Sequence, residues 1–438
     1  MIPMTGWKER GGPSLARAVE AAYARCEDDY HMPALVALNE AGQPVGKVQD
    51  GDTVIFCCRR GEREIELTEM FTEKGFRAVE LTWRNDLTFI LMTLYHGKFA
   101  HLPVAFAPEQ LHNTLAQAVS EAGKTQFHCA ESEKFAHITF FLNGGNNTPC
   151  PGETDLHIPS PKGKPDVAHT CNPVPCVLIT PENAPLTLRE DCCLASVSPT
   201  LLQLMGIPVP ADMTAPSLLT EPISSGRPVM LIVLDGWGMG AEDDTNPIFL
   251  GNTEPWASLM AAHTHTLLHA HGLHVGLGAK KAGNSEAGHM NLGAGRIVPQ
   301  DDQRLEKAMQ DGSYEQNKVF LNAIEETRRK GKALHLLSYL THNSSHGSID
   351  YAVKLCAMAK DLPEVYLHII LDGRSTENGS APQLLMELEE KLQAIGAGVI
   401  VDCIGRGNVL DRDFNYAKVK MGYDAMVDGV GEPYLLSL

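Results

Sequence analysis

At 438 residues the chain is long enough for two or three domains, each with its own core. A hydrophobic share of 43% and a charged share of 21% exclude a disordered chain, and a net charge of −18 argues against a nucleic-acid or membrane partner. No apolar run approaches membrane-spanning length, and eleven cysteines without a CxxC pair read as reduced, mostly buried thiols.

The first residues lack the apolar core of a signal peptide, which predicts a cytoplasmic protein. Leu15, Val19, Ala22 and Tyr23 recur at helical spacing and predict a helix over 12–28. A turn at Asp50-Gly51-Asp52 leads into a short strand over 53–58, then the basic run Arg59-Arg60-Gly61-Glu62-Arg63 and a helix over 66–73. That run reads either as an anion clamp at a strand end or as a solvated charge cluster. A strand is expected over 89–94, a helix over 108–122 and a strand over 138–142, with Lys134 and His137 flanking Phe135 just ahead of it. Residues 174–180 read as a strand, 199–205 as a short helix, and 220–227 as a linker.

The run 229–234 (VMLIVL) is fully apolar and ends in Asp235 and Gly236, as a buried parallel strand would when it delivers a carboxylate to the sheet's carboxyl edge. Five histidines (His263, His265, His269, His271 and His274) follow, and an exposed histidine-rich strand is the expected reading, ahead of a metal site. Residues 283–296 pack four glycines around Ser285, His289 and Arg296. The stretch reads as a serine nucleophile presented to a phosphate or acyl group, or as a glycine-rich surface loop. Helices over 302–309 and 316–329 then alternate with strands over 333–337, 365–371 and 398–403. The clearest helix is 382–395, with a stripe of Leu384, Leu385, Leu388, Leu392 and Ile395, Ser380 as its cap and Gly396 as its stop. Such alternation means an α/β protein.

Several of these segments are long and specific: VLDGWG (233–238), GNSEAGHMNLGAGRIV (283–298), LDGR (371–374), GR (405–406), DRD (411–413), DGDTVIF (50–56), ESEKFAHITFFLNGG (131–145), IPSPK (158–162), HTCNPVP (169–175) and SPTLLQLMGIPVPADM (198–213). Together they resemble the cofactor-independent (2,3-bisphosphoglycerate-independent) phosphoglycerate mutases of the alkaline phosphatase superfamily. The resemblance implies an α/β fold of two domains. One is a phosphoglycerate-mutase transferase domain split over 1–108 and 301–438. The other is an alkaline-phosphatase-like sheet domain over 109–300, contiguous because the order of segments is circularly permuted relative to the family. The family's NxDxxGH and DHGN segments are not found, and roughly 100 residues are expected to be missing between Lys162 and His169, which implies a truncated sheet domain.

By motif, the resemblance implies Ser285 as nucleophile and Lys134 beside the transferring phosphate. It implies Asp235, Ser285 and His169 as metal ligands, and Arg60, Arg63, His346, Arg374, Arg406 and Arg412 as substrate-binding residues. The implied activity is interconversion of 3- and 2-phosphoglycerate through a phosphoserine, with a pair of Mn²⁺ ions. The partners are a small phosphoglycerate, no nucleic acid and no membrane, and a monomer is expected. The alternative is a catalytically inactive relative that binds a phosphorylated ligand or a protein partner.

Overall fold

The computed structural model describes all residues except 1–8, 60–62, 161–168, 181–185, 222, 225, 252, 343, 345, 412 and 438. In chain order the strands are β1 (Leu35–Leu38), β2 (Thr53–Phe56), β3 (Thr88–Thr93), β4 (Val104–Phe106), β5 (Gln126–Glu131), β6 (Glu153–Ile158) and β7 (Val174–Leu178). They continue as β8 (Cys192–Cys193), β9 (Thr264–His269), β10 (Leu334–Leu340), β11 (Val365–Leu371), β12 (Val399–Gly405) and β13 (Glu432–Leu435). The chain divides into two compact units, Met1–Pro108 with Leu305–Leu438, and Glu109–Arg304.

The first unit is built on an eight-stranded sheet in the order β13-β1-β12-β11-β10-β2-β3-β4. From β12 to β4 every neighbouring pair is parallel, and only the β1–β12 pairing is antiparallel. Alternate residues of each strand serve opposite faces. Ile55, Leu336, Leu367 and Val401 pack against Leu15 and Val19 of helix Gly12–Tyr23, Phe320 and Ile324 of Lys318–Lys330, and Leu385, Leu388 and Leu392 of Ala381–Ile395. Val54, Phe56, Leu337 and Ile370 pack against Leu67 and Met70 of helix Ile65–Thr72 and Val419 and Met426 of Tyr416–Asp428. Helices on both faces are what an all-parallel, near-continuously apolar set of strands requires. The α/β class and the large parallel sheet agree with the sequence reading.

The second unit holds a parallel pair, β5–β6, and a three-stranded sheet, β7-β9-β8. Its apolar residues form three small clusters, around Leu268 and Leu292, around Leu202 and Met213, and around Val275 and Ala287.

Several expectations need correction. Residues 229–234 form no strand; Met230 is 82% and Ile232 70% exposed. A strand buried on both faces needs a neighbour on each side, and among the described residues none pairs with this run. Residues 138–142 are not a strand either. Helix Ser132–Ala136 runs on into a π-helical turn, His137–Phe141, with Thr139 Oγ1 donating to Phe135 O at 2.8 Å. The β-branched and aromatic residues there are overridden by packing, since His137 stacks on Phe141 and lies 5.4 Å from the ring of His289. The helix expected over 108–122 is Leu115–Glu121, because Thr114 and Gln117 close a capping box only there. Ser380 does not cap Ala381–Ile395; its hydroxyl donates to Glu377 O at 2.6 Å, while Gly396 ends the helix at φ +77° as expected. Among the described residues no helix is long and apolar enough to cross a membrane.

Candidate functional site

Ser285 is the first residue of helix Ser285–Ala294, so the stretch 283–296 is a helix entry and not a surface loop. Asn284 stands at its N-cap in extended backbone, and its Oδ1 accepts from Ala287 N at 2.8 Å. The first-turn amides and the helix dipole make this end favourable for an anion. The helix lies against the backbone of the Lys134 segment. A Cβ on Gly293 would stand 1.7 Å from Leu142 O, so only glycine permits that approach.

Three polar side chains meet here. Ser285 Oγ donates to Asp235 Oδ2 at 2.6 Å, Lys134 Nζ donates to Ser285 Oγ at 2.9 Å, and Lys134 also forms an ion pair with Asp235. Burial pushes the Asp235 carboxyl up, but the hydrogen bonds from Lys134 and Ser285 and the Lys134 charge outweigh it, leaving Asp235 below the usual carboxylate range. One turn along, His289 Nδ1 meets Ser285 O at 2.8 Å. Burial holds His289 below the ordinary imidazole range, and burial followed by the Lys134 charge does the same to His137. The serine therefore sits between a carboxylate that can take its proton and an ammonium that can face an incoming anion, with two neutral imidazoles behind.

Of the residues expected to hold metal, Asp235 and Ser285 come together and His169 does not join them. His169 is exposed, and only its neighbour Thr170 reaches the serine segment, through Thr170 O accepting from Gly283 N at 3.2 Å. The sequence reading noted His289 in this stretch but gave it no role, although it lies four residues from Ser285 and so on its helix face.

Arg406 and His346 belong to the first unit, at the carboxyl ends of its parallel strands, where open α/β sheets bind ligands. Arg406 follows β12, Asp372 follows β11, His346 lies in the loop after β10, and Cys58 and Glu64 follow β2. Arg406 Nη1 donates to Asp372 and its Nη2 meets His346 Nε2 at 3.1 Å. A guanidinium only donates, so His346 Nε2 accepts and its Nδ1 carries the hydrogen toward Glu64 Oε1 at 3.1 Å. Tyr339 OH at 2.7 Å and Cys58 Sγ at 2.9 Å also donate to that oxygen. Arg406 Nε and Asp372 Oδ2 are buried with no hydrogen-bond partner among the described residues. Arg63 Nη1 donates to Leu410 O at 3.3 Å. Arg374 stands apart, 5.5 Å over the ring of Tyr30, where Gly373 at φ +61° allows the backbone to pass. Arg60 and Arg412 lie outside the described residues. Nothing local marked Glu64, which meets His346 across 282 positions of sequence.

A divalent pair needs several convergent carboxylate and imidazole ligands. Ser285 Oγ and Asp235 Oδ2 are both already faced by the Lys134 ammonium, and no group of three ligating side chains gathers there among the described residues. As placed, these residues do not fit a metal pair. The five histidines around β9 do not replace it: His269 stacks on His274 at 4.1 Å, and no three-ligand group among the described residues includes them.

Residues 4–97 and 305–435 match the family described as BPG-independent PGAM N-terminus, and residues 61–168 match the metalloenzyme superfamily. The chain is similar to the 2,3-bisphosphoglycerate-independent phosphoglycerate mutase of Clostridium perfringens, 38% identical over 48% of this chain and 41% of that protein. It is similar to the same-named proteins of Vibrio cholerae (40% identical, 48% and 42% covered) and Moorella thermoacetica (39%, 48% and 41%). The chain thus spans well under half the length of these curated relatives. A crystal structure of Leishmania mexicana phosphoglycerate mutase at low cobalt concentration matches 29% of this chain and 24% of its own at 27% identity, with a TM-score of 0.22. The metalloenzyme match and the named relatives imply divalent-metal dependence for the family. The first match covers a little over half of the chain, and it falls on the unit that holds Arg406, Asp372 and His346: the chain belongs to the BPG-independent phosphoglycerate mutase family.

Proposed function

We propose that the chain is a phosphoglycerate mutase that interconverts 3- and 2-phosphoglycerate, with Ser285 as the acceptor of the phosphoryl group. The observation that carries this reading is Ser285 at a helix N-terminus, its hydroxyl donating to Asp235 and accepting from Lys134. In the first half-reaction Ser285 Oγ attacks phosphorus, its proton passes to Asp235 Oδ2, and the bond from phosphorus to the glycerate oxygen breaks. Lys134 and the first-turn amides of the helix face the charge on the phosphoryl oxygens. The glycerate oxygen leaves with a proton from Lys134, which regains one from Asp235 through their contact, and the second half-reaction is the reverse transfer to the 2-hydroxyl. The Arg406–Asp372–His346 group supports a role in holding the phosphoglycerate, with the guanidinium as the bidentate donor. Mn²⁺ is the divalent ion the resemblance suggests, and we place the enzyme in the cytoplasm as a monomer.

One observation favours a second reading, an inactive relative that binds a phosphorylated ligand. Lys134 already satisfies Asp235, and the ligands around Ser285 do not complete a metal pair. Phosphorus NMR of folded protein with 3-phosphoglycerate, with and without Mn²⁺, separates the two. A 2-phosphoglycerate signal supports the mutase. Calorimetric binding of 3-phosphoglycerate without conversion leaves only the binder.

A further inference from the structure

A second cluster of ligating side chains lies in the Glu109–Arg304 unit and shares no residue with the serine site. In the parallel pair β5–β6, His128 stands opposite Asp155, and Glu153 is two residues before Asp155 and so on the same face. His128 Nδ1 is 3.2 Å from Glu153 Oε1 and 3.6 Å from Asp155 Oδ1, and the three side chains are 12%, 0% and 17% exposed. Asn143, just past the π-helical turn and 3% exposed, brings its amide to the same place, with Nδ2 donating to Glu153 Oε1 at 2.8 Å. Glu153 Oε2 accepts from Cys150 N at 2.8 Å.

The cluster's chemistry is unbalanced. His128 Nδ1, Asp155 Oδ1 and Asn143 Oδ1 are each buried with no hydrogen-bond partner among the described residues. Two carboxylates and an imidazole thus converge with few donors among them, Asn143 Nδ2 and Cys150 N both going to Glu153. Buried polar groups left so cost about 1–3 kcal/mol each unless something answers them. The spacing fits a cation: donor atoms about 2.1 Å from a tetrahedral ion stand about 3.4 Å apart.

The geometry points to a divalent-cation site formed by His128, Glu153 and Asp155, with Asn143 holding Glu153 in place, suited to a borderline ion of the Zn²⁺, Co²⁺ or Mn²⁺ type. An imidazole among the ligands disfavours Ca²⁺ and Mg²⁺, which take oxygen ligands. The site is a structural pin. It ties β5 and β6 to the segment after the His137–Phe141 turn, and so fixes the short helix between them that carries Lys134.

The test uses the full chain, stripped with a chelator and titrated with Co²⁺ alone. About one equivalent binds with the visible absorption of tetrahedral cobalt, persists in Asp235→Asn, and is lost or at least about tenfold weaker in His128→Gln and Asp155→Asn. Zn²⁺ raises the melting temperature of the wild type and leaves both of those variants unmoved. Metal-free Asp155→Asn melts at or above metal-free wild type, because one of two facing carboxylates is gone, so loss of binding there is not loss of fold. No cobalt uptake, or uptake unchanged in both His128→Gln and Asp155→Asn, overturns the proposal and leaves a proton shared between Asp155 and Glu153 as the answering charge.

Discussion

Replacing His368 with leucine removes the middle of a buried chain of charge in the first unit. Asp52 Oδ2 meets His335 Nε2 at 3.1 Å, His335 Nδ1 meets His368 Nε2 at 2.9 Å, and His368 Nδ1 meets Asp402 Oδ2 at 2.6 Å. Asp52 stands just before β2, the other three residues come from β10, β11 and β12, and a register shift between Leu367 and His368 sets His368 opposite Asp402. The four groups thus form one buried chain of hydrogen bonds, and each ring has a carboxylate on one nitrogen and the other ring on the second. Leucine keeps much of the packing volume but leaves Asp402 without its ring partner and His335 Nδ1 without an acceptor or donor. Breaking a buried charged network at one member costs about 3–5 kcal/mol. At about 2–4 °C per kcal/mol for a unit of this size, the melting temperature falls by roughly 6–20 °C. Calorimetry and urea unfolding followed by circular dichroism at pH 7.5 read this directly. A loss below about 1 kcal/mol would show that the chain of contacts is not the network described. The same strands end at Asp372, Arg406 and the loop bearing His346, so on the proposed function the variant is also expected to loosen phosphoglycerate binding.

Three further outcomes are expected. Burial, then the nearby His368, holds His335 below its ordinary range; the unfolded chain therefore gains a proton there as pH drops below about 6.5 while the folded chain does not, and stability falls in that window. Burial raises Asp52, but the hydrogen bonds from His335 and from the Gln49 and Ala333 amides outweigh it and hold the carboxyl low, so its contribution is full above about pH 3.8 and is lost as pH falls through the depressed value; a urea midpoint flat from about pH 7.5 to pH 5 contradicts the first, and one flat from about pH 4 to pH 2 contradicts the second. Asn284→Ala removes the cap of the serine helix and destabilises its unit by about 0.5–2 kcal/mol in urea unfolding, with no loss predicted for the other unit. Arg406→Lys keeps the charge but loses the fork that reaches Asp372 and His346 together, and weakens calorimetric binding of 3-phosphoglycerate about 10- to 100-fold; unchanged affinity would remove Arg406 from the ligand site.

The parts of the fold legible in the sequence are those whose pattern is complete within one segment. The stripe Leu384, Leu385, Leu388, Leu392 and Ile395 needs only a helical period, and the helix ends where Gly396 says it does. The strand Val365–Leu371 is apolar but for His368 and Tyr366 and finds parallel neighbours on both sides. The run 229–234 is more apolar still and has a different outcome, because burial is a property of the neighbours and not of the run. The π-helical turn at His137–Phe141 was hidden for a related reason: Ile138, Thr139, Phe140 and Phe141 favour a strand locally, and the contacts that decide otherwise come from a helix about 150 residues away in sequence. The serine, its lysine and its aspartate could be named from their motifs. Their mutual hydrogen bonds could not, nor could the grouping of Glu64, Cys58 and Tyr339 around His346, whose members are scattered over the chain.

Acid-quenched mass spectrometry of the folded protein after incubation with 3-phosphoglycerate and Mn²⁺ addresses the central claim, that Ser285 accepts the phosphoryl group. The account predicts a phosphate on the peptide containing Ser285, absent in Ser285→Ala and much reduced in Lys134→Met, with removal of a transition-state donor lowering the rate about 10²- to 10³-fold. An unmodified Ser285 in protein that turns substrate over, or turnover that survives Ser285→Ala, would contradict it.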